Sequence, residues 1–489
     1  MTQTPNILLV TTDQHRGDCL GLENHPVLQT PYLDALGHEG IHFSCAYSEH
    51  PQCIPARRSL MTGQMAHQHG VPFNYHAPLE GPYLPEELTR AGYHTHLVGK
   101  LHLHPQRKLY GFMSADWSDG PYAGAMGDYG RWLESQGLST REMEAHGAHN
   151  NGWVARPWHL DERLHFTNWA TDRALDFLER RDTTKPFFLN LSYFHPHQPC
   201  TPPKDYWDRY INADLPEPVT ADWSGGENEY EPGLPVASWQ TKLSPALQRQ
   251  FQAGYYGCIN HIDDQLGRVL AKLPRNTVVI FTSDHGEMLG DHHFIRKTRA
   301  LEGSARVPFL MRLPDGLGIP GSQQRKEPIG WTDIMPTLLD LAGAPIPETC
   351  AGSSLLDLLR GEGTPWRERL HGEMAQCGGE PTGMHYLTDG NMKYIWEYGL
   401  RRELLFDLEN DPQECRNLAD DPAWRDRLLD WRADLIERLR ERPEGFVKDG
   451  RLVCFNGPMP WAREDLLDQG SSLADWVLRE KPLPTGFLE

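Results

Sequence analysis

The run Cys53-Ile54-Pro55-Ala56-Arg57, continuing as Arg58-Ser59-Leu60-Met61-Thr62-Gly63, brings a thiol, a proline and a guanidinium close together. Pro55 suits a first helical position, because its missing N–H has no intrahelical partner there, and Gly63 suits the exit. The spacing predicts a short helix with a reactive cysteine at its mouth, and the free N–H groups and dipole of such an end attract anions. Two apolar runs end in groups suited to a metal: residues 7–12 lead into Asp13-Gln14, and residues 277–282 lead through Ser283 into Asp284-His285. Read alone, Asp13 is a turn-capping aspartate; a second strand ending in the same way makes a shared metal site the better reading. These four donors are mostly oxygen, which suits Ca²⁺, Mg²⁺ or Mn²⁺. His285 either coordinates through nitrogen, which favours Mn²⁺ over Ca²⁺, or orients a neighbouring ligand.

Lys100-Leu101-His102 follows a glycine turn at the end of a predicted strand that begins after Gly92. Lysine supplies a compact positive charge and histidine a proton-transfer group near neutral pH, the pair that an anionic transition state requires. In isolation Lys-x-His is a solvated loop. His195-Pro196-His197-Gln198-Pro199 follows another apolar run, and a histidine held between prolines on a stiff loop suits a general acid more than a core.

The elements that must position these groups alternate between strand and helix patterns. Residues 7–12, 186–191 and 277–282 are short apolar runs of the kind buried in a parallel sheet. Ala170, Ala174, Phe177 and Leu178 follow helical spacing within residues 168–181, as do Ile262, Leu266, Val269, Leu270 and Leu273, and residues 333–343 form a helix with a glycine stop. Residues 105–165, rich in Gly, Trp and His, read as an excursion over the site's mouth, or equally as aromatic packing beneath loops. Residues 212–245 read as surface loop. After about residue 380 the character changes to an antiparallel pair at 393–398 and 403–408, a turn at Asp411-Pro412 and an amphipathic helix over 424–440. The expected organisation is a catalytic domain at 1–380, a small subdomain at 381–454 and an extension at 455–489 that docks on a neighbouring subunit of a homo-oligomer.

A formal charge of −20 argues against nucleic acid or an anionic membrane as the main partner, so an anionic substrate needs a locally basic pocket. The N-terminus lacks the pattern of a signal peptide, and no apolar run approaches membrane-spanning length. The nine cysteines are scattered, without metal-type spacing or a disulfide framework, and a reducing cytoplasm is the simplest reading.

The pattern Cys53-x-Pro55-x-Arg57-x-x-Leu60-x-Thr62-Gly63 resembles the signature of the type I, formylglycine-dependent sulfatases. Gly92-Tyr93-x-Thr95-x-x-x-Gly99-Lys100-x-His102 resembles their second signature, and Leu405-Phe406-Asp407-Leu408-x-x-Asp411-Pro412-x-Glu414 their C-terminal turn. The resemblance implies an α/β fold like alkaline phosphatase: a central mixed, largely parallel sheet between helices, with a smaller C-terminal α+β subdomain. It implies that a formylglycine-generating enzyme oxidises Cys53 to an aldehyde, whose hydrate attacks the sulfur of a small sulfate ester and leaves a sulfated enzyme. One divalent metal, Ca²⁺ or Mn²⁺, would be held by Asp13, Gln14, Asp284, His285 and the side chain derived from Cys53. By similarity Arg57 stabilises the nucleophile, Lys100 and Lys297 bind the anion, His197 protonates the leaving oxygen and His102 acts as base. Arg296 and Arg299 compete with Lys297 for its assignment.

Asp13-Gln14 and Asp284-His285 depart from the Asp-Asp and Asp-Asn of many sulfatases and are similar to phosphonate monoester hydrolases and choline sulfatases. Asn74, as a substrate contact, leans the same way, whereas Lys100 and His102 lean toward sulfate. The expected activity is that of an arylsulfatase-like hydrolase, promiscuous toward phosphodiesters and phosphonate monoesters. The alternatives are a phosphonate monoester or phosphodiester hydrolase on the same site, or a silent binder of sulfated ligands.

Overall fold

In the computed structural model, which describes residues 4–121, 127–139, 142, 147–225, 239–361, 365–375, 383–456, 466 and 483–488, the first apolar run lies inside an eight-stranded sheet. Its strands are β1 (Asn6–Asp13), β2 (Ile41–Phe43), β3 (His94–Gly99), β4 (Ser114–Trp117), β5 (Phe187–Pro196), β6 (Thr277–Ser283), β7 (Phe309–Arg312) and β8 (Gln323–Arg325). Their spatial order is β4-β3-β5-β1-β6-β7-β2-β8, and β7 alone runs against the others. The sheet is therefore mixed and largely parallel, as expected.

Register explains why the site forms. Thr12 lies opposite Ser283, Asp13 opposite Pro196, and Gly99 opposite Ser192. Four adjacent parallel strands thus finish together, and Asp13, Lys100, His197 and Asp284 emerge from their carboxyl ends, where ligands bind in open α/β sheets.

Helices cover both faces. They include α1 (Cys53–Thr62), α2 (Phe166–Arg180), α3 (Pro245–Leu270) and α4 (Ile334–Ala342). Because side chains alternate along a strand, Leu8, Val10, Leu189 and Leu191 meet Trp169 and Ala174 of α2 and Ile262 and Leu266 of α3. Ile7, Leu9, Phe188, Val278 and Ile280 meet Leu60 and Met61 of α1 and Ile334 and Leu338 of α4 on the opposite face. Each such leucine or isoleucine contributes about 1.5–3 kcal/mol by leaving water.

Helix α3 starts at Pro245, well before the amphipathic stretch read from the sequence, with Ser244 capping Leu247 N–H. Its middle, from Phe251 to Asp263, is buried all round, so no polar stripe marks it. The 105–165 excursion contributes β4 and the helix Asp128–Ser135, and Trp117, Trp153 and Trp158 are buried as packing.

The small sheet is antiparallel and has four strands, Leu370–Met374, Met384–Thr388, Met392–Glu397 and Arg402–Asp407, so it straddles residue 380. Tyr394, Trp396 and Leu405 pack on Leu428, Trp431 and Leu435 of helix α5 (Arg425–Leu439). Ile395, Leu404 and Phe406 face the other way, against Tyr47, Met288 and Leu301 of the large body. Most of 455–489 lies outside the described residues; within them, Leu483–Phe487 pairs with Arg451–Asn456 of the same chain. Among the described residues no helix is long and apolar enough to cross a membrane, and the eight described cysteines are free thiols.

Candidate active site

Helix α1 begins at Cys53 itself, because Gln52 is the last extended residue, at φ −155°. Pro55 therefore occupies the third helical position rather than the expected first, still within the turn whose N–H groups lack helical partners. Gly63 ends the helix at φ +69°, a left-handed conformation that favours glycine. The helix mouth is partly closed: Asn74 Oδ1 accepts from Ile54 N–H at 2.9 Å, and Gln52 Oε1 accepts from Asn74 N–H at 2.7 Å. Of the Asn74 side chain, expected to contact substrate, the amide nitrogen is the group that does not bond the helix.

Asp13, Cys53, Asp284 and His285 are buried, and their ligating atoms all lie within 4.8 Å of one another. His285 Nδ1 pairs with Gly286 O at 3.0 Å, which leaves Nε2 3.4 Å from Asp284 Oδ1, 3.5 Å from Asp13 Oδ1 and 3.2 Å from Cys53 Sγ. Gln14 is tied to them by its backbone N–H, which donates to Asp284 Oδ1 at 3.2 Å, and its side-chain oxygen accepts from Lys297 Nζ at 2.9 Å. Burial and the neighbouring Asp13 charge both push the Asp284 carboxyl up. Burial and the Cys53 charge would also raise Asp13, but Lys100, His197 and Lys297 hold it well below the usual range. Two buried carboxylates with mutually opposed titration, together with an imidazole and an amide oxygen, fit a hard divalent cation.

Cationic groups surround this cluster. Burial alone would raise the Cys53 thiol, yet Lys100, Lys297 and His285 bring it well below its ordinary value, and Lys297 Nζ is 3.0 Å from Sγ. Lys100 Nζ bonds Asp13 Oδ2 and lies 5.2 Å from the centre of the Phe194 ring. Its delivery depends on Gly99: at φ +93° any Cβ would come within 2.0 Å of Ser192 O. Arg57 Nε bonds Asp284 Oδ2 at 2.8 Å, and one terminal nitrogen bonds Lys100 O at 3.0 Å and Ser192 Oγ at 2.9 Å. The other, buried and without a hydrogen-bond partner, is 3.6 Å from Asp13 Oδ2.

The His102 ring hydrogen-bonds Cys53, and its Nδ1 is buried without a partner. Its backbone N–H donates to Asp119 Oδ1 at 2.7 Å. His197 Nδ1 pairs with Gln198 O at 2.7 Å; burial, reinforced by Lys297, depresses its pKa to about 4, although it also bonds Cys53. His195 instead stacks on His165, with ring centres 4.7 Å apart. Arg296 stacks on Trp239 and Arg299 on Phe294, at 3.4 and 4.3 Å from the ring centres, so of the three neighbouring cations Lys297 is the one at the thiol.

All the expected site residues thus meet at one end of the sheet. Sequence reading missed Ser192, Asp119 and Glu287, which touch Arg57, His102 and Gln14. None carries a local signal beyond its residue type.

The family model described as Sulfatase matches residues 5–344, and that of N-sulphoglucosamine sulphohydrolase, C-terminal, matches residues 290–442. The chain is 38% identical over 476 residues to an arylsulfatase of Clostridium perfringens, with 92% of this chain and 97% of the relative covered. It is 31% identical to the multifunctional alkaline phosphatase superfamily protein PehA of Trinickia caryophylli, with 90% and 98% covered. The solved phosphonate monoester hydrolase of Agrobacterium radiobacter superposes with a TM-score of 0.75 at 26% identity, over 89% of this chain and 95% of that one. With sheet, strand-end cluster and family match in agreement, the chain belongs to the sulfatase family of the alkaline phosphatase superfamily and is a sulfuric ester hydrolase.

Proposed function

We propose that the pocket around Cys53 cleaves arylsulfate-like esters after conversion of Cys53 to formylglycine, with one divalent cation, Ca²⁺ or Mn²⁺, held by Asp13, Gln14, Asp284 and His285. The seat of Cys53 carries this reading. Its Sγ lies 3.2 Å from His285 Nε2 and 3.0 Å from Lys297 Nζ, so an oxygen in its place is already beside the cation donors and an ammonium. When bound, the cation supplies Lewis-acid polarisation of a sulfuryl oxygen and eases ionisation of a hydroxyl. Formylglycine, as its hydrate, supplies a hydroxyl nucleophile and a second hydroxyl through which sulfate is later expelled.

The remaining work belongs to the chain's own side chains. Lys100 and Lys297 bind the sulfuryl group and offset the charge that builds on it and on the leaving oxygen. Arg57, fixed on Asp284, Ser192 and the Lys100 carbonyl, holds the carboxylates in position. His197 holds the proton for the leaving oxygen. Its Nδ1 is fixed on Gln198 O, which leaves the other ring nitrogen for that proton. His102, in hydrogen-bond reach of the Cys53 side chain, accepts a proton from that position. The Asn74 amide nitrogen donates to a substrate oxygen.

A second reading, phosphonate monoester or phosphodiester hydrolysis, is favoured by Gln14, His285 and Asn74 and by the likeness to a phosphonate monoester hydrolase. Lys100 and His102 favour sulfate. Catalytic efficiencies on an aryl sulfate, a phosphonate monoester and a phosphodiester, measured with one Mn²⁺-loaded preparation, separate the two. The aryl sulfate is expected to lead; a phosphonate preference with negligible sulfate turnover would sink the first reading. Mass spectrometry of the Cys53 peptide from active protein is expected to show the aldehyde or its hydrate, and full activity with thiol alone would refute the mechanism. The reading requires a formylglycine-generating enzyme as maturation partner. A reducing cytoplasm suits the free thiols of the described residues, and a homo-oligomer belongs to the same reading.

A further inference from the structure

A glutamine side chain binds a cation through oxygen, and the shape of an amide does not decide whether oxygen or nitrogen faces the site. At Gln14 the decision falls to Glu287, a wholly buried residue just beyond His285. Glu287 Oε2 accepts from Gln14 Nε2 and, at 2.6 Å, from Gln198 Nε2. Gln198 Oε1 accepts from Gln14 Nε2 at 2.6 Å. Both Gln14 amide hydrogens are thereby taken on one side. The Oε1 atom turns to the other side, toward Lys297 Nζ at 2.9 Å, the same ammonium that lies 3.0 Å from Cys53 Sγ. The second Glu287 oxygen accepts from the backbone N–H of Leu289 at 3.0 Å and from that of Arg296. Both oxygens of Glu287 therefore face donors, which demands a carboxylate; an amide at position 287 would set N–H against N–H.

We infer that Glu287 is a positioning residue that turns the Gln14 oxygen into the cation site, acting directly and through Gln198. The inference rests on the reading of Gln14 as a cation ligand. Its test is calorimetric titration of chelator-stripped, full-length protein with Mn²⁺, with electron paramagnetic resonance of the bound ion as a second readout. In E287Q the oxygen stays with the Leu289 and Arg296 N–H groups, the new NH₂ faces Gln14, and Gln14 flips. Mn²⁺ affinity is expected to fall about 10- to 100-fold, with a changed resonance spectrum. In the double variant Q14E/E287Q the carboxylate at position 14 accepts from the new amide and from Gln198 while still offering oxygen to the ion. Affinity is then expected to recover by about tenfold or more over E287Q alone, as coupled neighbours allow.

Native affinity in E287Q would overturn the inference. So would an E287Q protein that neither folds nor binds and is not rescued by Q14E, because that outcome assigns Glu287 to holding the backbone between Leu289 and Arg296. Q14A separates the two levels. Unchanged affinity in Q14A removes Gln14 from the ligand set and takes the inference with it, whereas weakened Q14A beside native E287Q overturns the role of Glu287 alone.

Discussion

Lys100 and Lys393 are both buried lysines bonded to carboxylates, yet their surroundings differ in kind. Lys393 joins the small sheet to the large body, donating to Glu302 Oε1 at 2.6 Å and Glu414 Oε1 at 2.9 Å. Glu302 Oε2 is met by Arg306 at 3.0 Å and Glu414 Oε2 by Glu302 N–H at 2.6 Å, so all four oxygens have partners. Around Lys100 the pairing is left open. Asp13 and Asp284 oppose each other, a guanidinium nitrogen of Arg57 and Nδ1 of His102 lack partners, and the thiol sits among cations. A closed network holds two layers together; an open one keeps charge available for a ligand.

The largest effect that tests this contrast is on activity. Cys53→Ala is expected to lower kcat on an aryl sulfate by more than about 10⁴-fold, as loss of a nucleophile does, while shifting urea unfolding by no more than about 1 kcal/mol. Unfolding of that variant would make the open cluster structural as well.

The next test exchanges the lysines. Lys393→Met leaves the buried Glu414 carboxylate without its ammonium and Glu302 with Arg306 alone, and is expected to cost about 3–5 kcal/mol in urea unfolding, with kcat/KM of the folded fraction preserved. Lys100→Met, in metal-loaded protein, is expected to lower kcat/KM by about 10²- to 10³-fold at a smaller stability loss than Lys393→Met, because a bound cation would still face Asp13. Equal stability losses would break the comparison.

Acid sharpens it further. Burial holds His50 at a pKa of about 4 and His165 at about 3. Between those values and the ordinary 6.5, the unfolded chain binds protons that the folded chain refuses. Stability therefore falls as pH drops below about 6.5 and is flat above it with respect to these groups. Thermal unfolding from pH 7 to 5 is expected to reveal a loss of about 2–4 kcal/mol from the pair, and His50→Gln should reduce that slope.

The smallest effect lies at the helix mouth. Asn74→Ala frees the Ile54 N–H and is expected to cost about 1 kcal/mol, as for a lost cap. A loss of substrate affinity beyond that would mark its amide nitrogen as a contact, to be read in KM.

Much of this was legible in the chain because it is local. Gly63 ends a helix whose first turn holds Pro55, apolar runs lead to Asp13 and Asp284, and Gly99 releases Lys100, all within stretches short enough for backbone preference and side-chain alternation to act. Helix α3 was half hidden because burial on every side erases the stripe that reveals a helix, and the first two strands of the small sheet, on either side of residue 380, were not read at all. Residue types alone identified the donors that could gather at the strand ends. What they could not determine was how the side chains face: the turn of the Gln14 amide is decided by Glu287, 273 positions away, and the setting of the Arg57 guanidinium by Ser192 on one strand and Asp284 just past another. Hydrogen-bond direction belongs to the neighbours a group meets, and only the folded sheet brings those neighbours together.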